Sequence, residues 1–358
     1  MTPLESRSDS ILQEDLEKIA NHPDLWKGLE GRTVLVTGAT GLIGAQMVKA
    51  IACRNRLYGT GIRVLGLARS ESKARAILAE IWERPEVRMV YADMLSGPLP
   101  DLHADFIFHC ASITSSSYFV RFPVDTIQTI LHGTRVVLEL ARKHKSEGIV
   151  FLSSSEIYGV PNPSAETVAE EDSGYLDSMK VRSSYSEGKR MAECLCASYA
   201  AQYAVPVKVA RLSPTFGPGV LPEDDRVFAQ FARSIANKQD ITLRTPGETV
   251  RNYCYSGDAI AALLLILSKG RIGEAYNVAN PATTISIRDI AMMVADKFSG
   301  GHTRVVFEIA EDTSELGYNP TVKVVLDSGK LQRLGWVPSV GLEQMFDRTI
   351  RSMIMRST

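Results

Sequence analysis

Thr33-Val34-Leu35-Val36-Thr37-Gly38-Ala39-Thr40-Gly41-Leu42-Ile43-Gly44 is the stretch that decides how the rest of the chain is read. Thr33 to Val36 is a short continuous run of the kind found in a parallel strand covered on both faces. Glycines follow at 38, 41 and 44, and the pattern predicts a helix beginning near Leu42. A strand, a glycine turn and a helix N-terminus in that order make a phosphate cradle. The backbone N–H groups and the helix dipole point at the anion, and only glycine lets the backbone approach it closely. The order carries more weight than the glycines, which alone fit an ordinary tight turn. Dinucleotide binding is therefore expected here, with Gly38, Thr40, Gly41, Leu42 and Ile43 at the cradle.

Outward from that stretch the same alternation continues. Arg63 to Ala68, Met89 to Asp93, Phe106 to His109 and Val150 to Leu152 read as the second to fifth strands, separated by helical segments. Such regularity predicts an α/β fold, a Rossmann-type doubly wound parallel sheet with ligands along the C-terminal strand edge. The end of the second strand normally chooses between the two nicotinamide cofactors through a carboxylate on the ribose. Here it is Ala68 followed by Arg69, which removes that carboxylate and offers a cation for a 2′-phosphate. NAD is the expected cofactor, with NADP open on account of Arg69; the alternative is that Arg69 is a solvated loop residue.

Ser184-Tyr185-Ser186-Glu187-Gly188-Lys189 lies in a helical stretch. There, tyrosine and lysine four apart share one face. A tyrosine with an ordinary pKa near 10 is a poor base at neutral pH, and an adjacent ammonium favours its phenolate. Ser153-Ser154-Ser155-Glu156 precedes it, and Ser112 to Ser117 is a hydroxyl-rich loop directly after the fourth strand. His109, alone at a strand end, reads as structural and not as a base.

The chain has 358 residues, 45% hydrophobic, with a formal net charge of -1. That balance excludes the global basic footprint of a nucleic-acid or membrane-surface binder. The five cysteines are scattered and odd in number, which points to a reducing compartment and to no metal site. The N-terminus does not read as a signal peptide, and the longest apolar run, Ala259 to Leu267, is too short for a bilayer. Residues 1–30 read as an N-terminal helical extension with Ile11, Leu12, Leu16 and Ile19 on one face. Residues 31–205 read mainly as the dinucleotide-binding domain, and 206–358 mainly as a smaller lobe interwoven with it. Within the latter, Val207 to Leu212 reads as a strand, Phe228 to Ile235 as a helix, Gly247 to Asp258 as a turn-rich segment and Ala275 to Val278 as a strand.

The combination of GATGLIG, SSSEIYG and YSEGK resembles the extended short-chain dehydrogenase/reductase family, specifically its nucleotide-sugar epimerases, dehydratases and decarboxylases. Later markers of the resemblance are Arg211 to Pro218, Arg251 to Asp258, Tyr276 to Asn280 and Leu334-Gly335-Trp336. It implies Ser154, Tyr185 and Lys189 as the catalytic set with Glu156 beside them. It further implies Asp93, Met94 and Ala111 as cofactor contacts, and Ser115, Ser155, Arg182, Thr215 and Arg251 as substrate contacts. A nucleotide sugar as substrate, a cytoplasmic location and a homodimer formed through two helices per chain belong to the same expectation.

Within that family, 4,6-dehydratases carry an acid where this chain has Ser155, and a serine hydroxyl is too weak an acid to protonate a leaving C6 hydroxyl. The Ser-Ser-Glu run, Arg182 and Glu187-Gly188-Lys189-Arg190 resemble UDP-glucuronate decarboxylases instead. Departures from the family pattern stand at Pro214 and Ile130, each in place of an asparagine. A 4-epimerase is the nearest rival reading, followed by a 4,6-dehydratase or an NADPH-dependent reductase. A dinucleotide-sensing protein without chemistry is the reading from outside the enzymes, opposed by the complete Ser154, Tyr185 and Lys189 set.

Overall fold

The computed structural model describes residues 4–97, 99–309, 317–318 and 321–357. The chain begins with α1 (Ser10–Asn21), then β1 (Thr33–Thr37), α2 (Leu42–Tyr58), β2 (Arg63–Ala68), α3 (Glu71–Ile77), β3 (Val87–Tyr91) and β4 (Phe106–His109). There follow α4 (Ser116–Arg121), α5 (Pro123–His144), β5 (Gly148–Ser154), α6 (Ser183–Tyr203), β6 (Val207–Leu212), β7 (Thr215–Phe216) and α7 (Val227–Ala236). The last part holds β8 (Ile241–Leu243), β9 (Val250–Tyr255), α8 (Ser256–Lys269), β10 (Ala275–Val278), β11 (Asn280–Ser286), α9 (Ile287–Phe298), β12 (Val305–Phe307), β13 (Lys323–Val324), α10 (Gly329–Gln332) and α11 (Leu342–Ser357).

Seven strands form one parallel sheet in the order β10-β6-β5-β4-β1-β2-β3. Every residue of β1 is buried, as a strand with helices on both faces requires. One face is covered by α2 and α8 together with the N-terminal segment, the other by α5 and α6. Ile260, Leu263, Leu264 and Ile266 of α8 are fully enclosed. Each such side chain contributes about 1.5–3 kcal/mol by leaving water. Strand order reverses between β1 and β4, whose ends meet at Thr37 and His109. A crevice opens at the carboxyl ends of the strands at that point, where ligands of such sheets lie.

β6 and β10 come from the second half of the chain yet complete this sheet, which interleaves the two lobes. The smaller lobe is built on β9, flanked by β7, β11 and β13 and backed by α7, α9 and α11. The segment Gly247 to Asp258, read from sequence as turn-rich, therefore holds strand β9 from Val250 and, directly after it, the start of α8. Its partners β7, β11 and β13 are distant in sequence, so no local signal announces the pairing. The third strand ends at Tyr91, because the Asp93 carboxylate closes a turn onto the Leu95 N–H (3.0 Å) and the Ser96 hydroxyl (3.1 Å). The hydroxyl-rich loop after β4 is only half loop, since α4 begins at Ser116.

The N-terminal extension packs on the body through α1, with Ile11, Leu12, Leu16 and Ile19 buried as the periodicity requires. Asp9 caps α1 by accepting from the Leu12 N–H at 3.0 Å and accepts a second bond from Ser352 of α11. Glu5 is fully buried and accepts from Arg84 (2.6 Å), Arg56 (3.0 Å) and Gln13 (2.9 Å). Burial alone would raise its pKa, but those three donors override it and hold the carboxyl down at about 2.

Candidate active site

The turn after β1 requires its glycines for two measurable reasons. Gly38 has φ +66°, and a Cβ there would stand 2.8 Å from the Ala111 backbone. A Cβ on Gly44 would lie 2.2 Å from the Gly38 carbonyl oxygen, so the helix could not seat against the turn. Helix α2 starts at Leu42 behind Gly41, with no side-chain cap on its first N–H groups, which leaves them for a ligand. Next door, the Thr37 hydroxyl contacts His109 Nδ1 at 2.7 Å and accepts from the Ala111 N–H at 3.1 Å. His109 is buried and its pKa is pushed down to about 3 by burial and by the Lys189 charge. It is a neutral strut between β1 and α5, as the sequence reading expected.

Tyr185 and Lys189 emerge from α6 on the side facing β5. The Lys189 Nζ is buried, donates to the Leu152 carbonyl at 2.7 Å and stands 5.9 Å from the Tyr185 ring centre. Burial pushes its pKa down to about 8. Burial also pushes the Tyr185 phenol up to about 12, with the Glu156 charge adding to the rise. The Ser154 hydroxyl and the charges of Arg182 and Arg226 pull it back. Glu156 accepts from the Arg182 Nη2 at 2.9 and 3.1 Å and from the Ser186 hydroxyl at 3.3 Å. Arg182 also donates through Nε to the Gly317 carbonyl at 2.6 Å.

These groups converge on one cavity of about 240 Å³. Gly38, Gly41, Leu42 and Ile43 line it from the β1 turn, Ser154, Ser155 and Glu156 from the end of β5, Tyr185 and Lys189 from α6, and Thr215 and Arg251 from the smaller lobe. A second recess of about 150 Å³ shares Ser155, Glu156 and Arg251 with it and is lined by Arg182. Thr40 faces the outer side of the glycine turn, where a cavity of about 220 Å³ reaches the N-terminal extension. Arg69 is exposed beyond β2, while Asp93, Met94 and Ala111 sit along the strand edge outside the cavity lining. Ser115 donates to Asp225 at 2.6 Å, and the Thr215 hydroxyl donates to the Ser213 carbonyl at 2.8 Å, so both hydroxyls are engaged within the protein.

Several lining residues escaped the sequence reading. Arg226 brings a second guanidinium beside Arg251, Phe119 forms an aromatic wall, and Ser153 and Ser213 bring hydroxyls. Only Arg226 had a usable signal, as the one cation just ahead of α7 in a stretch otherwise acidic. Among the described residues no group of His, Cys, Asp and Glu is placed to hold a metal ion, and no helix is long and apolar enough to cross a membrane.

The model of the NAD dependent epimerase/dehydratase family matches residues 34–279. Among curated relatives, UDP-glucuronic acid decarboxylase 1 of Arabidopsis thaliana is 26% identical over 321 residues, covering 88% of this chain and 68% of that protein. The chain thus spans about two thirds of that relative's length. Among solved structures, a UDP-glucuronic acid 4-epimerase of Bacillus cereus in complex with NAD aligns with a TM-score of 0.74 at 21% identity, covering 91% of this chain and 99% of that one. A dTDP-glucose 4,6-dehydratase of Streptomyces venezuelae with NAD bound gives 0.75 at 22%, covering 89% and 96%. These likenesses establish the shared fold.

The residues present fit a nicotinamide dinucleotide. The uncapped N-terminus of α2 and the Gly38 cradle offer a diphosphate its backbone donors. The Ser153 and Ser213 hydroxyls are buried at the cavity wall with no protein partner, as groups awaiting a polar ligand would be.

Proposed function

Because this chain belongs to the NAD dependent epimerase/dehydratase family, and is an enzyme of that family, we propose that it acts on a nucleotide sugar through transient oxidation at C4 and that its net reaction is the decarboxylation of UDP-glucuronate. One observation carries the choice of reaction. At the end of β5 the cavity presents the hydroxyls of Ser154 and Ser155 and, among the described residues, a single carboxylate, Glu156, which is already paired with Arg182. A dehydratase needs a free carboxylic acid to protonate a leaving C6 hydroxyl, and that position holds Ser155. Loss of carbon dioxide needs no such acid, because a ketone at C4 lies β to the C6 carboxylate and takes up the electron pair of the breaking C5–C6 bond as an enolate, which then takes a proton from water at C5 to give the 4-keto pentose.

Each residue has a task in this reading. Tyr185, ionised, removes the C4 hydroxyl proton, and Ser154 shares that hydrogen bond. Lys189 supplies the neighbouring positive charge and is kept in place by the Leu152 carbonyl. Arg251 meets the substrate diphosphate as a bidentate donor, and Arg226, whose Nε and Nη2 are held by the Asp224 carboxylate, adds its positive charge beside it. Glu156 and Arg182 shape the C6 end, holding the carboxylate without stabilising it so far that it cannot leave. The Gly38 turn and the uncapped N-terminus of α2 would hold a nicotinamide dinucleotide, which would supply reversible hydride acceptance at C4. The relatives at 26–28% identity that bear the name UDP-glucuronic acid decarboxylase support this choice.

The nearest rival is a 4-epimerase, which uses the same Ser154, Tyr185 and Lys189. Incubation of purified protein with UDP-glucuronate, once with NAD and once with NADP, separates the two. Carbon dioxide together with UDP-xylose supports the proposal; the galacturonate epimer without gas replaces it with the epimerase. No product with either cofactor overturns UDP-glucuronate as substrate.

NADP belongs to the same reading as the alternative cofactor, supported by Ala68 and the exposed Arg69 at the end of β2. A homodimer through α5 and α6 is supported by apolar side chains exposed on both, Val124 and Ile127 on the first and Met191 and Tyr203 on the second. Light scattering at low protein concentration tests it, and a monomer mass there refutes it. A cytoplasmic location completes the reading and is checked by cell fractionation.

A further inference from the structure

Phe119 belongs to the short helix α4, has no chemical part in the proposed reaction, and is 1% exposed. Its ring is stacked on the Tyr185 ring with centroids 4.3 Å apart and planes 10° apart. The Arg182 guanidinium carbon also lies over the Phe119 ring, 4.9 Å from its centre. One phenyl plate therefore meets the proposed base and the cation that bears on it. The backbone repeats the link, since the Ser184 hydroxyl donates to the Phe119 carbonyl at 3.1 Å.

Helix α4 is held from both lobes. At its head, Ser115 donates to Asp225 at 2.6 Å and Ser117 approaches the same carboxylate oxygen at 3.5 Å. Asp225 precedes Arg226, one of the two arginines of the cavity. On its flank, Gly317 packs so closely that a Cβ there would stand 2.2 Å from the Ser116 carbonyl oxygen, and the Gly317 carbonyl is the one that receives Arg182. The segment that carries the diphosphate-facing arginine and the segment that carries the base thus meet at α4.

We propose that Phe119 is a positioning residue: its ring fixes the Tyr185 phenol and the Arg182 guanidinium relative to one another, and the Ser115–Asp225 clasp sets where that ring sits. An aromatic stack of this geometry prefers its own orientation, which a leucine of similar bulk does not impose. The charged groups facing Tyr185 are Glu156 from the end of β5, Arg182 just ahead of α6, Lys189 on α6, and Arg226 from the segment before α7. Glu156 opposes ionisation, whereas Arg182 and Arg226 favour it. Holding the phenol against the Arg182 side of that set keeps ionisation accessible. A ring free to lean loses that bias.

The inference rests on the reading of Tyr185 as the base, and its test is independent of any substrate. Protein loaded with NAD and carrying ring-labelled tyrosine is titrated by NMR, with the Tyr185 signal assigned by its loss in Tyr185→Phe. Phe119→Leu is expected to move the Tyr185 titration upward by about one pH unit. Asp225→Asn, a surface change that loosens the clasp, moves it in the same direction by less. With a turned-over nucleotide sugar, Phe119→Leu slows single-turnover hydride transfer about tenfold, with sugar affinity held within about twofold. A Tyr185 titration unchanged in both variants overturns the proposal, as does a loss of sugar affinity equal to the loss of rate. If Phe119→Leu does not fold, an unchanged titration in Asp225→Asn is sufficient to overturn it. Absence of reaction with every nucleotide sugar counts against the proposed reaction and leaves the titration to judge Phe119.

Discussion

Lys189 and Leu152 are joined at the wall of the central cavity, the ammonium of the one donating at 2.7 Å to the backbone carbonyl of the other. The bond ties α6 to β5, the two elements that carry Tyr185 and Ser154. It also keeps a cation in a buried place that would otherwise strip its proton, since burial has already moved Lys189 down to about 8. The Lys189 side chain is thus anchored on a backbone carbonyl of the strand that carries Ser154.

Tyr185→Phe is expected to lower turnover by at least about a hundredfold, the typical contribution of a positioned general base. Dinucleotide affinity should stay within about twofold, because the cradle at Gly38 to Ile43 is untouched. Single-turnover kinetics and calorimetric titration with NAD check both halves. Full activity in this variant would refute the assignment of the base.

In protein free of cofactor, the tyrosinate at 185 should be absent through the neutral range. Burial and Glu156 place the phenol at about 12, above the ordinary value, so the neutral form persists as pH rises through 7 to 9. The ultraviolet difference spectrum between wild type and Tyr185→Phe should show no tyrosinate signal over that range. A signal appearing below pH 9 would show that the surrounding charges outweigh burial.

Ser155→Asp is not expected to create dehydratase activity. The new carboxyl would lie beside Glu156, whose charge raises its pKa, but Arg182 already holds that end of the cavity in a shape suited to a carboxylate. Product analysis with nucleotide-linked glucose checks this, and a 4-keto-6-deoxy sugar would show that a single acid suffices.

Glu5→Gln should destabilise the fold by about 3 kcal/mol, because it leaves Arg56 and Arg84 without their buried carboxylate. The pH dependence has a definite sign. The folded carboxyl sits at about 2, below the unfolded value near 4.5, so its contribution is fully present above 4.5 and is lost as pH falls toward 2. Denaturant titrations of wild type and variant at pH 7 and pH 3 should differ by less at the lower pH. An equal difference at both would locate the effect elsewhere.

Arg69→Ala should weaken NADP binding about tenfold or more and leave NAD within about twofold, if Arg69 meets the 2′-phosphate, as charge-assisted hydrogen bonds of this kind contribute about 1.5–3 kcal/mol. Calorimetry with both cofactors measures it. Equal losses for the two would make Arg69 a surface residue without a part in the choice.

How much the chain discloses depends on whether a feature is local. The cradle is legible because strand β1, the glycine turn and the start of α2 are contiguous, and steric exclusion at Gly38 and Gly44 acts within a few residues. Tyr185 and Lys189 are legible because helical periodicity alone puts positions four apart on one face. His109 as a strut and α1 as a packed amphipathic helix follow by the same kind of local argument. The sequence by itself therefore determined the fold class, the glycine turn at the head of α2 and the placing of Tyr185 and Lys189 on one helix face. Tertiary structure alone decided what surrounds them. It turned Val250 to Tyr255, within the segment read as turn-rich, into a strand, because β7, β11 and β13 lie beside it in space and not along the chain. It set Phe119 on Tyr185 across 66 residues of sequence, closed Ser115 onto Asp225 across 110, and bound Glu156 to Arg182 across 26. Stacking, clasping and charge pairing depend on distance through space, and no periodicity in the sequence encodes that distance.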